Sequence, residues 1–555
     1  MIARKPYTPL EGGNRPLKEA LQPILDRHRD CFVSLLQRFD SSLEMSSVLE
    51  SLFETLLQRL FRTMARPLVL ELNLARINGE LTGKNSRERY NSFIIDCDER
   101  PERLWGMTHR YPELKNIIRK TIGQFLQSTS ELLHRYESDS PLIAETFGIG
   151  QSRIVKIVGD LGDSHRRGRS VSCLEFDTGS RIIYKPKPLS VDLHFQGILA
   201  WLNSRGWRPH FRLTRVSNRG HYGWTEYLER KECRRREELE RYYVRGGGLL
   251  CLIFALDGRD CHMENVIAHG ENPVIVDFEG LFSRGSWRSL TESQTRLTEL
   301  CVTKELETPL ENLLDSVLAT GLLPQWMLVP RKERSDHDIS GFFGHSGRAL
   351  VRLFYKEASD RMREVFAMKT VSYKENLPKN GIDPTYYADE IITGFARMWR
   401  LIHCYRKELV DLVHGFGSDN IRCLFRPTRA YSGLLDLSYY PEVLRRPRYR
   451  RRAIEQMLRR HTSSHSLMRL IPSEVDDLVL GDIPIFTTTA WSLNCHDSKH
   501  NGIRHFFREP SMSFVRKRLR NWNAEALEKE IMYIRKSIIG YRDLRSKVVP
   551  KTSLV

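Results

Sequence analysis

The sequence predicts an α+β fold of two lobes, a sheet-bearing lobe followed by a helix-rich one. Three observations carry that prediction. Ser172 to Lys185 reads as two β-type runs, SCLEF and RIIYK, joined by the Gly-containing turn DTGS, which is a hairpin signal. A long helical pattern then runs from about residue 234 to 256 and breaks at Gly258. Short strands follow around the Gly-Glu-Asn-Pro turn of ENVIAHGENPVIVDFEGLF, and after about residue 340 the pattern is mainly helical. The expected domains are a helical N-terminal region (1–149), a sheet-bearing lobe with Lys185 (150–232) and a helix-rich remainder (233–555). Sheet first and helices second is the order of a two-lobed nucleotide-binding catalyst.

Each element has its own signal. Leu35, Leu36, Phe39, Leu43, Leu49, Leu52 and Leu56 recur at near-helical spacing, so residues 1 to about 65 are expected to be helical. In LELNLARINGELTGKNSRERYNSFI, Asn-Gly and Thr-Gly mark turns and Asn85-Ser86 marks a helix start. Residues 110–147 are again helical and end at FGIGQ. SVDLHFQGILAWLN (190–203) is amphipathic, with Val191, Phe195, Ile198, Leu199 and Leu202 on one face. GWTEYLE (223–229) reads as a strand.

The chain has 555 residues, 40% hydrophobic and 28% charged, which is a globular composition with room for more than one core. The longest apolar run, Leu249 to Leu256, is far short of the roughly 20 residues that cross a bilayer, and no secretory signal opens the chain. A cytoplasmic protein without a transmembrane segment is the expectation. Ten cysteines, none spaced Cys-x-x-Cys, are no disulfide framework; Cys251 and Cys301, in apolar runs, read as small buried hydrophobes. Cys495-His496 with His500 lacks the second ligand pair of a zinc site. The 87 Lys and Arg against 69 Asp and Glu leave a charge of +18, but the basic residues are scattered. Only 445–460 is dense, with eight Arg, and no nucleic-acid motif accompanies it, so no nucleic-acid partner is expected.

The chemistry sits in GRDCHMEN and VIVDFEG. Asp260 and Asn265 are five residues apart on the turn after a long helix, and Asp277 ends the apolar run Val274-Ile275-Val276. Protein kinases space a catalytic Asp, a metal-binding Asn and a second metal-binding Asp in this way. Mg²⁺ prefers hard oxygen ligands and takes one or two carboxylates beside substrate phosphates, which Asn265 and Asp277 can supply. Asp260 can accept the proton of an attacking hydroxyl. Lys185 fits the place of a lysine that pairs with ATP phosphates. GDLGDSHRRG (159–168) reads as a loop whose glycines let backbone N–H groups approach an anion.

With these residues in view, the chain resembles the dehydratase domain of class II lanthipeptide synthetases. The resemblance lies in GDSHRRGRSVSCLEFDTGSRIIYKPKPLSVDLHFQGILAWLN and ALDGRDCHMENVIAHGENPVIVDFEGLF, and also in LELNLARINGELTGKNSRERYNSF, IRCLFRPTRAY and GDIPIF. It runs from about residue 50 to the C-terminus. It implies a bilobal fold related to lipid kinases, with additional helical elements at both ends. It also implies an activity: ATP- and Mg²⁺-dependent phosphorylation of Ser and Thr in a ribosomal precursor peptide, then elimination of phosphate to dehydroalanine and dehydrobutyrine. On this resemblance the phosphorylation set is Asp260, His262, Asn265, Asp277 and Glu279, with Asn265 and Asp277 holding the metal. The elimination set is Asp163, His165, Lys185, Arg422 and Thr428, with His165 and Asp163 both open as the base.

Two departures follow. Gly280 after the Asp-Phe-Glu run is expected to loosen the next segment. The residues after GDIPIF and the helix EALEKEIMYIRKSIIGYRD leave no room for a fused cyclase, so the expectation is a dehydratase without one, or the dehydratase half of a longer protein, with ring closure left to a separate cyclase or not occurring. The alternatives are a peptide kinase that stops at the phosphate and a non-catalytic scaffold for the leader peptide. The arginines of 445–460 are then expected to face an acidic leader.

Overall fold

The computed structural model describes residues 17–150, 152–283, 310–328, 338–446, 448–462 and 464–548. Helices α1 (Gln22–Gln37) and α2 (Met45–Ile77) come first among the described residues; residues 1–16 of the stretch expected to be helical lie outside them. Helix α3 (Ser86–Glu99) starts where the sequence predicts, because the Asn85 side chain accepts the N–H groups of Arg87 and Glu88 at 3.1 and 2.9 Å. Helices α4 (Pro101–Arg110) and α5 (Pro112–Phe147) complete the N-terminal region.

A five-stranded antiparallel sheet follows, in the order β1-β2-β3-β5-β4. Its strands are β1 (Ile154–Val158), β2 (Ser172–Phe176), β3 (Arg181–Lys185), β4 (Val216–Asn218) and β5 (Gly223–Glu226). The expected hairpin is β2–β3, with Ser172 opposite Tyr184. Polar pins join the sheet to the N-terminal helices. The Ser51 hydroxyl accepts the Ile157 N–H at 3.1 Å, and the Trp224 indole donates to buried Asp139 at 2.9 Å. Leu56, Leu60, Phe125, Ile157 and Trp224 share one core with Tyr431 and Leu478, so a distant C-terminal stretch returns to this side.

A second core gathers α6 (Ser190–Ser204), α7 (Arg236–Ala255), α8 (Ala388–Cys404) and the C-terminal helix Ala524–Val548 through Phe195, Ile253, Phe395, Trp399, Trp522 and Ile534. α7 and α8 touch backbone to backbone at Gly247 and Gly394. A Cβ on either would lie 2.0 Å from a carbonyl oxygen, of Ile391 and of Val244 respectively.

Beyond residue 340 the chain is less helical than its pattern. Strands β8 (Ser346–Tyr355) and β9 (Arg363–Ser372) pair antiparallel along their whole length, and four short strands, β10 (Ile421–Cys423), β11 (Phe486–Thr488), β12 (Cys495–His496) and β13 (Gly502–Ile503), form a further sheet. The alternation was hidden because Arg352 is buried beside Phe354, facing Glu364, which Arg66 of α2 also meets at 2.8 Å. A charge thus stands on the core face, where a hydropathy pattern looks for an apolar residue.

The dense basic stretch also divides. On the helix Tyr449–Arg460, Arg450 is buried and donates to the carbonyls of Leu478 and Val479, at the C-terminus of the helix Ile471–Leu480. Arg451 pairs with Asp476 at 2.7 Å, whereas Arg445, Arg446, Arg448, Arg452, Arg459 and Arg460 are exposed. Cys251 is buried as expected, Cys31 and Cys404 are exposed, and Cys301 lies outside the described residues. Among the described residues, no helix is long and apolar enough to cross a membrane.

Candidate active site

One wall of the site is built by the turn after α7. Asp260 has φ = +64°, a conformation that few non-glycine residues adopt, and its side chain is half exposed. Neighbours hold it there. The Asn265 side-chain amide donates to the Asp260 carbonyl at 2.8 Å, and Arg259 N–H donates to Gly280 O at 2.9 Å. Val276 N–H donates to Asn265 O at 3.0 Å, tying the hairpin of β6 (Val266–His269) and β7 (Asn272–Ile275) to the same turn. His262 Nδ1 accepts the Glu264 N–H at 3.2 Å, and its Nε2 stands 3.5 Å from the Asn265 amide nitrogen and 3.8 Å from Asp260 Oδ1. Desolvation raises the Asp260 pKa above the ordinary carboxylate value, helped by Asp277 and Glu279 and opposed by His262 and Arg422.

The sheet supplies two lysines from one short run. Lys185, at the end of β3, is buried and donates to Asp192 of α6 at 3.1 Å and to the Val276 carbonyl at 2.7 Å. Lys187 reaches both carboxylates of the Asp-Phe-Glu run, Asp277 at 3.0 Å and Glu279 in a still closer pair. Glu279 also receives Arg422 of β10 at 2.5 Å. These cations hold the Glu279 carboxyl far below its usual range despite burial. Although burial alone lowers them, Lys187 and Arg422 are both raised, Lys187 by Asp277 first and Arg422 by Glu279 first.

The opposite wall is the loop that carries Asp163 and His165. His165 Nδ1 donates to the Ile483 carbonyl at 2.7 Å, which leaves Nε2 with the lone pair in the neutral ring. Desolvation, reinforced by Arg422, pushes its pKa down to about 4. The N–H groups of Arg167 and Gly168 point at one carboxylate, that of buried Asp482, at 2.6 and 2.9 Å. Part of the glycine loop read as a phosphate cradle is therefore filled by the protein's own anion. Arg59 of α2 braces the loop from behind, through Asp160 at 2.6 Å and Gly168 O at 3.0 Å.

Both walls open on one cleft of about 580 Å³. Asp163, His165, Lys185, Asp260, His262, Asn265, Asp277, Glu279, Arg422 and Thr428 all line it, so the two sets of residues nominated from the sequence share a single site. Thr428 stands at the start of the helix Thr428–Leu437.

Several residues of the site went unread. Lys187 was passed over although Lys-Pro-Lys-Pro places it two residues after Lys185; the repeat was the available signal. Asp192 and Asp482 had no local mark, since each works through a partner distant in sequence or on another element. Gly280 has a packing reason. A Cβ there would sit 2.2 Å from the Arg259 carbonyl oxygen, so the glycine permits a close backbone pairing, while the segment it was expected to loosen lies, from residue 284 on, outside the described residues.

Fold and cleft together define a protein of mixed helix and sheet with a ligand-sized, highly charged site. The chain belongs to the family described as a domain of unknown function, DUF4135, which matches residues 111–489 and so includes every nominated site residue. It is also 27% identical, over 390 residues, to the lacticin 481/lactococcin biosynthesis protein LcnDR2 of Lactococcus lactis subsp. lactis. That match covers 68% of this chain and 41% of the relative, so the chain spans less than half the relative's length. The resemblance to the dehydratase region of lanthipeptide synthetases, read from the motifs, is borne out by these two matches.

Proposed function

We infer that the chain takes part in lanthipeptide maturation as a peptide dehydratase with a lipid-kinase-related fold. It would phosphorylate Ser and Thr of a ribosomal precursor peptide with ATP and then eliminate phosphate. One observation carries the reading: the phosphorylation and elimination residues line one cleft and meet in the Glu279–Arg422 ion pair. A kinase that stops at the phosphate has no use for His165 and Arg422 facing the same cavity.

In the first step Asp260 accepts the proton of the substrate hydroxyl as the hydroxyl oxygen attacks the γ-phosphorus, the bond from that phosphorus to the β,γ-bridging oxygen breaks and ADP leaves. The elevated affinity of Asp260 for a proton suits that task. Lys185, oriented by Asp192, is the point charge for phosphate oxygens. Asn265 Oδ1 and Asp277 Oδ2 have no hydrogen-bond donor among the described residues and are hard oxygen atoms, so they fit Mg²⁺. The ion held by Asn265 and Asp277 would supply neutralisation of phosphate charge.

In the second step the Cα proton passes to a base while the Cβ–O bond breaks, the Cα=Cβ bond forms and phosphate departs. His165 Nε2 carries a lone pair for that proton, and a phosphate dianion beside it raises its basicity; Asp163 is the other candidate base. Arg422 presents a fork to the leaving phosphate.

The test is incubation with ATP, Mg²⁺ and precursor peptides encoded beside the chain, followed by mass measurement. Loss of one water per modified residue is expected, and Asp260→Ala is expected to abolish both phosphate addition and water loss. A stable phosphate adduct would reduce the reading to a kinase, and unchanged mass would overturn it.

A further inference from the structure

Most cations of the cleft are already engaged. Arg169 holds Glu131, Lys185 holds Asp192, Lys187 holds Asp277 and Glu279, Arg422 holds Glu279, and Arg426 holds Glu474. Arg166 lines the same cavity and is different. Among the described residues its guanidinium has no ion pair and no hydrogen bond, and its Nε is buried without a partner. Arg429 is also without a partner among the described residues, but it is exposed, where water serves it. The buried Nε of Arg166 has no such substitute, and leaving a donor buried and unmatched costs about 1–3 kcal/mol.

The backbone explains why that cost is borne. Arg166 and Arg167 both have positive φ, 47° and 69°, and the turn is clamped by Asp482 through the N–H groups of Arg167 and Gly168. The Arg166 carbonyl is tied down as well, by the Arg169 guanidinium. A loop fixed this firmly holds an unpaired arginine at the cleft one residue after His165. That arginine feels Arg169 and Asp477 first and, more weakly, Glu279, the carboxylate that Lys187 and Arg422 share.

We propose that Arg166 is a further phosphate-binding residue of this cleft, closing its open guanidinium on the phosphoryl group of a phosphoserine or phosphothreonine side chain. The proposal deepens the dehydratase reading and rests on it. An arginine is the fitting residue because its planar fork gives two parallel hydrogen bonds to phosphate oxygens. Arg422 shares its guanidinium with Glu279, whereas Arg166 is half-buried at the cleft and can add its fork to the phosphate without displacing a carboxylate.

The test measures binding of a phosphoserine peptide and its unphosphorylated twin to the whole chain by calorimetry, for wild type, Arg166→Met and Arg166→Lys. Wild type is expected to prefer the phosphopeptide. In Arg166→Met that preference should fall about tenfold or more, with affinity for the plain peptide unchanged, and Arg166→Lys should recover part of it. Unchanged melting temperature in Arg166→Met keeps the comparison interpretable. If it fails to fold, Arg166→Lys decides alone: reduced preference supports the proposal, and full preference overturns it. Full preference in folded Arg166→Met overturns the assignment of Arg166 and leaves the dehydratase reading standing. No preference in wild type overturns both.

Discussion

The two walls of the cleft are made in opposite ways. The Asp260 wall is mostly local: twenty-odd consecutive residues, from Arg259 to Gly280, fold back on themselves, and distant segments brace them only through backbone bonds such as Cys261 N–H to Thr320 O and Met263 N–H to Ile339 O. The His165 wall is assembled from a distance. His165 leans on Ile483, Arg167 and Gly168 on Asp482, and Arg422 reaches the site from a strand that pairs with Phe486–Thr488. The difference teaches where each kind of chemistry is vulnerable. The first wall leans on distant backbone carbonyls, which any residue supplies, whereas the second leans on a distant side chain, that of Asp482, and breaks when that one residue changes.

Removing Arg422 is the hardest test of that division. Arg422→Ala should slow elimination from a phosphoserine peptide by about a hundredfold or more, so that phosphopeptide accumulates when ATP is supplied. Mass measurement over time separates the two steps. Dehydrated product at the wild-type rate would remove Arg422 from the mechanism. An equal fall in phosphorylation would show that the walls act as one unit through Glu279.

The same division governs what was legible in the sequence. Asp260, Asn265 and Asp277 could be read by spacing alone, because a turn and a hairpin place them and both are local. The β2–β3 hairpin, α6 and α7 were legible for the same reason. His165 and Arg422 became readable only by resemblance, since nothing local says that a loop at 165 meets a carbonyl at 483. GDIPIF was a recognisable string without a visible purpose. Its Asp482 and Ile483 turn out to be the clamp on the His165 loop. The β8–β9 hairpin was missed because a buried Arg352–Glu364 pair breaks the alternation on which a strand prediction depends.

Gly280 sharpens the comparison from the local side. Gly280→Ala places a methyl group 2.2 Å from the Arg259 carbonyl oxygen, with backbone on both sides of the contact. We expect a loss of about 1–3 kcal/mol in denaturant unfolding. We also expect a fall in both steps, because Glu279 beside it holds Lys187 and Arg422 together. A stable, fully active variant would mean that the turn yields where the packing says it does not.

The smallest effect concerns the strut of the distant wall. Asp477 is buried on the helix that leads to Asp482, and its carboxyl is pushed up to about 7, by burial first and then by Asp482 and Asp497, against the hydrogen bond from Ser498 at 2.6 Å. The folded chain therefore binds a proton there that the unfolded chain, with an ordinary pKa of 3.8, has lost. Stability from this group falls as pH rises from about 4 to about 7. His165 acts in the opposite sense. Its folded pKa of about 4 lies below the ordinary 6.5, so its contribution to stability rises with pH across nearly the same window. The two slopes oppose each other in the wild-type curve, and only variants separate them. Asp477→Asn keeps the shape and the acceptor for Ser498 but removes the charge. Relative to wild type it should gain about 1–2 kcal/mol in unfolding experiments between pH 5 and pH 8. His165→Gln should shift the same profile the other way. A flat difference for Asp477→Asn would mean that the carboxylate is solvated when charged, and that the strut behind His165 is looser than its hydrogen bonds imply.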